Sequence, residues 1–399
     1  MHVIRLKPGR QKSLQRRHPW VFSGAIDDVS GTPSSGETVR ISDSQGDFIA
    51  WGAYSPNSKI RARVWSWIEA DIIGEEFFVQ RLEGALRLRN ILLPIEKTNA
   101  MRLVHAESDG LPGLIVDRYS DVIVLQALSS GIEHWKNVLA DLIMDLTNAQ
   151  WLFERSDAAV RKLEGLENRT GVLRSHSLPA ASFLPLIEIF EGDLNYWVNV
   201  QQGQKTGFYL DQRANRTRIG ELSKGRHVLD CFSYTGGFSM SAAKGGAESI
   251  TAIESSSESL DLLKQNLDLN GLPADNNSLI EGDVFQVLRK FRDGARKFEM
   301  IILDPPKFAP TRSQIESAAR GYKDINLLAL KLLRPGGLLA TFSCSGGISV
   351  DLFQKILAGA ALDAGRDAMI VERFFQDVDH PMALNFPEGS YLKGFMIQV

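Results

Sequence analysis

Apolar and polar positions change their spacing twice along this chain. Over the first seventy residues the apolar runs are short: Val39–Ile41, Phe48–Tyr54 and Ile60–Trp67 predict strands, with Gly, Ser, Asp and Pro turns between them. Asp71–Leu93 then carries apolar residues at helical spacing, and Pro94 closes the helix. Two hairpin-like pairs follow, Gly113–Asp117 with Asp121–Ala127 and Leu186–Phe190 with Leu194–Val200, with a helix expected over Ile132–Leu146 between them. From about Gly203 strand and helix alternate. The strands are Val228–Asp230, Ile250–Glu254, Leu279–Asp283, Met300–Asp304 and Leu338–Cys344, and the helices 237–244, 256–269, 284–292, 313–333 and 349–364. That alternation predicts an α/β, doubly wound parallel sheet. The pattern divides the chain into residues 1–70, a middle α+β segment 71–195, and 196–399, with no internal repeat and no low-complexity stretch.

Composition adds bounds. A chain of 399 residues, 44% hydrophobic and 23% charged, is an ordinary globular composition with room for two or three domains. No apolar run approaches the length of a membrane span, and the N-terminus lacks the apolar core of a secretory signal. Cys231 and Cys344 are the only cysteines, so neither a disulfide framework nor a cysteine-based zinc site is expected. The seven histidines show no metal-ligand spacing, so no metal is expected. A cytoplasmic location follows as an expectation.

Charge is unevenly spread. Residues 1–70 hold ten Lys/Arg and six Asp/Glu, a net of +4, so the remainder of a chain with net charge −3 carries −7. Arg10, Lys12, Arg16 and Arg17 belong to this basic end, which is also dense in aromatic residues: Trp20, Phe22, Trp51, Tyr54, Trp65 and Trp67. A basic, aromatic end on an acidic chain suits a nucleic-acid partner, whose backbone the cations hold and whose bases the rings stack. A solvated basic terminus with most of the rings in the core is the competing reading.

The first α/β strand runs into Asp230-Cys231-Phe232-Ser233-Tyr234-Thr235-Gly236-Gly237. A glycine turn between a strand and a helix is a nucleotide-cofactor signature, but this is not the Gly-x-Gly-x-x-Gly spacing that admits a pyrophosphate. An acid at the strand end and two glycines suit a cofactor without phosphates. Glu254, ending the second strand, can accept from the hydroxyls of a ribose. Asp283, ending the third, can accept from an adenine amine. An adenosine cofactor with a cationic centre and no phosphate is S-adenosylmethionine.

The next two strands end in chemistry. Met300–Asp304 leads into Pro305-Pro306-Lys307-Phe308, and Leu338–Cys344 ends in a thiol flanked by Ser343 and Ser345. Side by side in a parallel sheet, the two strands place Asp304 and Cys344 about 5 Å apart across the ladder, at the carboxyl edge where open α/β sheets bind ligands. Two chemistries compete. An Asp-Pro-Pro turn followed by a ring suits methylation of an exocyclic amine, although here Lys307 separates Phe308 from the prolines. Carbon-5 methylation of a pyrimidine needs a thiolate that first adds to C6, which Cys344 can supply. Lys307 is a candidate to activate the thiol, and Asp304 a candidate base. A packed, inert thiol is the bland reading of Cys344, and the preferred one for Cys231. A third reading is an RNA-binding protein with a degenerate cofactor fold.

The order glycine turn, Glu254, Asp283, Asp304-Pro305-Pro306 resembles the Rossmann-like class I S-adenosylmethionine-dependent methyltransferases, which implies a strand order 3-2-1-4-5-7-6. Longer stretches are more specific: Gln204-Lys205-Thr206-Gly207-Phe208-Tyr209-Leu210-Asp211-Gln212-Arg213, Cys-Phe-Ser-Tyr-Thr-Gly-Gly-Phe from 231, Asp-Pro-Pro-Lys-Phe from 304, Arg-Gly-Tyr-Lys-Asp-Ile-Asn from 320 and Thr-Phe-Ser-Cys-Ser from 341. Together they resemble the RlmI-type 23S ribosomal RNA cytosine-5 methyltransferases. The segment from Gly9 to Gly24 resembles the start of their PUA domain, an RNA-binding β-barrel, and residues 71–195 resemble their linking α+β domain. The resemblance implies that Cys344 is the nucleophile and that Asp230, Phe232, Ser233, Tyr234, Gly236, Gly237, Glu254, Asp283 and Asp304 line the cofactor pocket. It also implies that Lys205, Phe208 and Asp211 close over the cofactor. Arg10, Lys12, Arg16, Arg17 and Phe308 would meet the RNA. The expected substrate is naked or partly assembled 23S ribosomal RNA, and the oligomeric state stays open, a homodimer included. No cysteine follows Pro306, where many RNA cytosine-5 methyltransferases carry one that assists release.

Overall fold

Alternation in the first seventy residues folds into a six-stranded sheet. Its strands are β1 (Val3–Leu6), β2 (Trp20–Phe22), β3 (Ile26–Ser30), β4 (Thr38–Ser42), β5 (Phe48–Tyr54) and β6 (Ile60–Ser66), in the order β2-β6-β5-β4-β1-β3. Their inner faces, with Leu14 of α1 (Lys12–Gln15), bury Ile4, Leu6, Val21, Val39, Ile41, Ala62 and Val64. β1, β2 and β3 are additions to the expected set: two are only four and three residues long, and the third exposes Asp27 and Asp28. This computed structural model describes residues 1–176, 178–272, 277–308 and 314–399.

The middle segment lays two helices on a second sheet. α2 (Glu75–Leu92) and α3 (Ser130–Thr147) cover β7 (Ala100–His105), β8 (Leu114–Tyr119), β9 (Val122–Ala127), β10 (Trp151–Ser156) and β11 (Arg169–Ser175), which run in the order β11-β10-β9-β8-β7; α4 (Val160–Glu164) lies between the last two in the chain. α2 starts later than its periodicity suggests. Gly74 is the residue before its first turn, and Asp71 instead accepts from the Ser66 hydroxyl. Ala53 and Trp65 of the first sheet share one core with Phe78, Leu103 and Ile132 of this layer. β12 (Leu186–Glu191) and β13 (Leu194–Asn199) form the expected two-stranded sheet.

Packing divides the chain into two compact units. The first comprises Met1–Gly192, Val198–Leu210 and Val378–Gly389; the second comprises Asp193–Trp197, Asp211–Asp377 and Ser390–Val399. In the second, α5 (Arg213–Leu222) precedes β14 (His227–Cys231), α6 (Gly237–Lys244), β15 (Ser249–Glu254), α7 (Ser257–Leu269), β16 (Asn277–Glu281) and α8 (Val284–Asp293). β17 (Phe298–Leu303), α9 (Ile315–Leu332), β18 (Leu333–Ser343), α10 (Val350–Ala364), β19 (Met369–Phe374) and β20 (Lys393–Gln398) complete it. Residue 313, where a helix was expected to begin, lies outside the described residues. The sheet order is β16-β15-β14-β17-β18-β20-β19, the 3-2-1-4-5-7-6 order implied above. Strands β14 to β18 are mutually parallel, and β20 is antiparallel to both of its neighbours. Leu229, Ile301, Leu303 and Leu339 face one core; Val228, Met300, Ile302, Leu338 and Ala340 face the other. Burial on both faces is why these strands read as unbroken apolar runs.

Candidate active site

The chain leaves β14 in a strained turn. Phe232 and Tyr234 take left-handed φ values of 62° and 49°, and Gly236 one of 89°. A Cβ on Gly236 would lie 2.6 Å from Cγ of Leu263, so only glycine fits. Each left-handed non-glycine residue costs about 1–3 kcal/mol and persists only where its surroundings over-determine it. Here the Ser233 N–H donates to the Ile253 carbonyl (3.1 Å) and the Gly236 N–H to the Ser233 carbonyl (2.9 Å). The Tyr234 N–H donates to Glu254 Oε2 (2.9 Å), and Nδ2 of the buried Asn266 donates to the Thr235 carbonyl (3.0 Å).

Carboxylates gather at the strand ends. Asp230 is buried, with Oδ2 accepting from the Ser239 hydroxyl at 2.6 Å. Burial, reinforced by the negative charges of Asp304 and Glu254, pushes its pKa up to about 7. Glu254 Oε1 accepts from the Ser255 N–H (2.7 Å), the Ser255 hydroxyl (3.0 Å) and the Ser256 N–H (3.1 Å). Both oxygens of that carboxylate therefore hold backbone, Oε1 its own loop and Oε2 the Tyr234 N–H of the glycine turn. Asp283 is not on a strand as expected, because β16 ends at Glu281; it caps α8, accepting from the Gln286 N–H at 3.0 Å. Asp304 Oδ2 accepts from Nε2 of Gln212 (2.9 Å), whose Oε1 accepts from Nδ2 of Asn215 (2.5 Å). Asp211 is buried, and its Oδ2 accepts from the Tyr391 hydroxyl at 2.6 Å. Among the described residues, Asp230 Oδ1, Ser233 Oγ and Thr235 Oγ1 are buried polar atoms without a partner. Bare acceptors, acidic strand ends and a glycine cradle fit a cationic adenosine cofactor, and Gly237 opens α6 directly behind the cradle.

The thiol stands on the same edge. Leu303 of β17 pairs with Thr341 of β18, so Cys344 lies two residues further out than Asp304, about 7 Å along the strand direction. Cys344 is partly exposed, whereas Cys231 is buried and burial holds its thiol well above its ordinary pKa. The Tyr322 hydroxyl accepts from Ser343 Oγ (2.9 Å) and bonds Ser345 Oγ (3.1 Å), bracketing Cys344. Burial, with the charges of Cys344 and Asp304 behind it, raises the Tyr322 pKa. Lys307 is exposed. Phe308 is half-buried, its ring centroid 4.8 Å from that of Tyr322 and 6.0 Å from that of Phe285. Gln212 and Tyr322 entered the sequence reading only inside the longer motifs, without roles of their own, and Asn266 and Lys393 were not singled out. The partners of these four lie far along the chain, and of the latter two only Lys393, a charge opening an apolar terminal run, left a signal.

The remaining candidates belong to the first unit. Lys205 is exposed, with Nζ 5.5 Å from the Tyr209 ring centroid, and the N–H of the buried Phe208 donates to the Tyr119 hydroxyl at 3.2 Å. Arg10, Lys12, Arg16 and Arg17 are all exposed around α1. Of the six aromatic residues Trp65 is core and Phe22 is the most exposed, at 50%. Trp51 Nε1 donates to the Glu69 carbonyl, and Trp20 packs on Phe386 at 5.0 Å. Among the described residues no cluster of His, Cys, Asp and Glu is arranged for a metal ion, and no helix is long and apolar enough to cross a membrane.

Comparison with known proteins agrees with this geometry. The PUA-like domain family matches residues 4–67, and the S-adenosylmethionine-dependent methyltransferase family matches residues 177–384. Ribosomal RNA large subunit methyltransferase I of Erwinia tasmaniensis is 47% identical over 394 residues, 99% of this chain and 98% of that protein. The protein of the same name from Yersinia pestis is 48% identical over the same shares. In fold, the crystal structure of SMU.776 complexed with SAH superposes with a TM-score of 0.86 over 100% of both chains at 21% identity. The parallel sheet, the glycine cradle and near-half identity over the full length lead to one conclusion: this chain belongs to the ribosomal RNA large subunit methyltransferase I family, S-adenosylmethionine-dependent methyltransferases with a PUA-like N-terminal domain.

Proposed function

We propose that this protein methylates C5 of one cytosine in 23S ribosomal RNA, in the cytoplasm, through a transient bond between Cys344 and C6 of the base. The observation that carries the proposal is the partly exposed thiol at the outer end of β18, beside the strand that leads into Asp304 and two strands from the one that leads into the glycine cradle. The names of the relatives support a large-subunit RNA substrate, and the PUA-like domain supports RNA binding. Asp230, Phe232, Ser233, Tyr234, Gly236, Gly237, Glu254, Asp283 and Asp304 are the residues that would hold the cofactor.

S-adenosylmethionine, when bound, supplies an electrophilic methyl group carried on a sulfonium. Cytosine C5 is too weak a nucleophile to take that group unaided. The Cys344 thiolate adds to C6, and the C5–C6 π pair becomes available at C5. C5 would then take the methyl group as the carbon–sulfur bond breaks, the electron pair staying on the sulfur, which would leave as a neutral thioether. A base removes the C5 proton, the pair returns to the C5–C6 bond, and Cys344 leaves as thiolate. Asp304, on the adjacent strand end, is the base we assign. A paired target base must first leave its stack to reach this edge. Cys344→Ala should abolish methyl transfer to ribosomal RNA while calorimetry still detects cofactor binding. RNA carrying 5-fluorocytosine at the target should form a covalent complex with the parent and none with the variant. Unchanged turnover in Cys344→Ala would instead assign transfer to an exocyclic amine held by the Asp304-Pro305-Pro306 turn.

A further inference from the structure

We infer that Lys393 is a positioning residue for Cys344: it pins the turn that carries the thiol and sets a positive charge against it. The inference rests on the Cys344 reading above, and its test does not depend on turnover. Lys393 opens β20, the antiparallel partner of β18, and pairs with Ser343, the residue immediately before the thiol. Its side chain is nearly buried, at 6% exposure, at the head of a strand whose next four residues, Gly394 to Ile397, are buried as well. Nζ donates to the Ser345 carbonyl at 2.8 Å and to the Ile348 carbonyl at 2.7 Å. Two of its three ammonium hydrogens thus hold the Cys344–Ile348 turn, while Tyr322 holds Ser343 and Ser345 from α9.

Neutral carbonyls orient an ammonium but do not neutralise it, and no carboxylate forms an ion pair with Lys393 among the described residues. Among the described residues, the charges that act on Lys393 are those of Cys344 on β18 and the exposed Lys307, while Cys344 and Asp304 act on Tyr322 of α9. Burial lowers the Lys393 pKa to about 8, Cys344 opposes that fall and Lys307 adds to it. An anionic sulfur is therefore the group that this buried cation favours, and the cation in turn favours thiolate over thiol. Lys307, the candidate activator by sequence, is the solvated member of the pair; Lys393 is the desolvated one, where charge acts most strongly.

Iodoacetamide alkylation of Cys344, followed by mass spectrometry across pH 6 to 10, tests the pairing, with Cys344→Ser reporting background from the buried Cys231. Lys393→Gln keeps a donor for the carbonyls and removes the charge. It should raise the alkylation midpoint by about one pH unit, a tenfold smaller thiolate fraction near neutrality, and Lys393→Arg should restore the midpoint. A midpoint unmoved in Lys393→Gln, or raised equally in Lys393→Gln and Lys393→Arg, overturns the inference. A measurement that leaves Lys393 in place is reciprocal: in Cys344→Ser the Lys393 ammonium, followed by NMR, should titrate at lower pH than in the parent, and an unchanged titration also overturns the inference. Methyl transfer surviving in Cys344→Ala would remove the cytosine C5 reading alone, because the alkylation profile reports on the pair whichever atom of the RNA is methylated.

Discussion

At the scale of residues, Asp230 and Gly236 show a site held away from its own stability optimum. The folded pKa of Asp230, about 7, stands above the ordinary carboxylate value of 3.8. A group raised in this way contributes stability below its unfolded pKa, and that stability is lost as pH rises through the folded value. By pH 8 the loss is on the order of 4 kcal/mol. Asp230→Asn should therefore melt higher than the parent at pH 8 without cofactor, melt alike near pH 4, and bind S-adenosylmethionine more weakly by calorimetry. A melting temperature at pH 8 no higher than the parent's would contradict this account. Gly236→Ala should cost about 1–3 kcal/mol and weaken cofactor binding, since a left-handed φ and the Leu263 contact act together. Chemical unfolding and calorimetry would read the two effects separately. Asp230, Glu254 and Gly236 stand out in the sequence because strand-end acids and a glycine turn follow one another in chain order. The division of labour within Glu254 does not, because its loop hydrogen bonds depend on a backbone path no residue type announces.

Elements were legible in proportion to their burial. β14 to β18 lie between two cores and show as apolar runs. β19 and β20 were missed: β19 exposes Met369, Ile370 and Val371, and β20 begins Lys-Gly. Both are edge-side antiparallel strands whose pairing is decided by β18 rather than by their own pattern. α7 was recognised as a helix, yet its role was hidden. Asn266 on α7 is fully buried; its Nδ2 holds the Thr235 carbonyl and its Oδ1 accepts from the Trp197 N–H at 2.7 Å. Asn266→Ala would strand the buried Thr235 carbonyl, worth about 1–3 kcal/mol, and the partly buried Trp197 N–H. We expect a comparable loss in denaturant unfolding together with weaker cofactor binding, and Asn266→Asp should lose at least as much, because it sets a buried carboxylate oxygen against the Thr235 carbonyl.

At the scale of the whole molecule, the first unit is completed by a segment that returns from the far end of the chain. Val378–Gly389 brings Asp379, whose Oδ2 accepts from the Arg102 N–H at 3.0 Å and whose carbonyl accepts from Arg89 at 3.1 Å. Around them Arg89 pairs with Asp109 and Arg102 with Asp117, all essentially buried. Asp379→Ala should destabilise this unit by about 3–5 kcal/mol, the usual loss when one member of a buried charge network is removed, measured by its unfolding transition. His105 lies in the same network, and burial first, then Arg102, His380 and Arg89, hold its pKa well below 6.5. A depressed folded pKa contributes stability above the unfolded value that is lost as pH falls, so the unit should weaken below about pH 6.5. For RNA, replacing Arg10, Lys12, Arg16 and Arg17 with Gln should flatten the salt dependence of RNA affinity by about three, at about 0.7–0.9 per lost phosphate contact. Cofactor affinity should be unchanged, and an unaltered salt slope would remove these four from the RNA contact.

The sequence by itself determined the fold class, the cofactor type and the strand that carries the thiol, while the strand order came only through the family resemblance. Each of the first three is written in local runs: buried strands must be apolar, a cradle needs glycine, and a cationic cofactor needs acids at strand ends. Only the tertiary structure decided which cation stands beside Cys344, which helix side chain braces the cradle, and that a late segment completes the first unit. Those contacts join residues tens to hundreds of positions apart, such as Lys393 with Ser345 and Asp379 with Arg102, and hydrogen bonds made across such distances leave no periodicity in the chain.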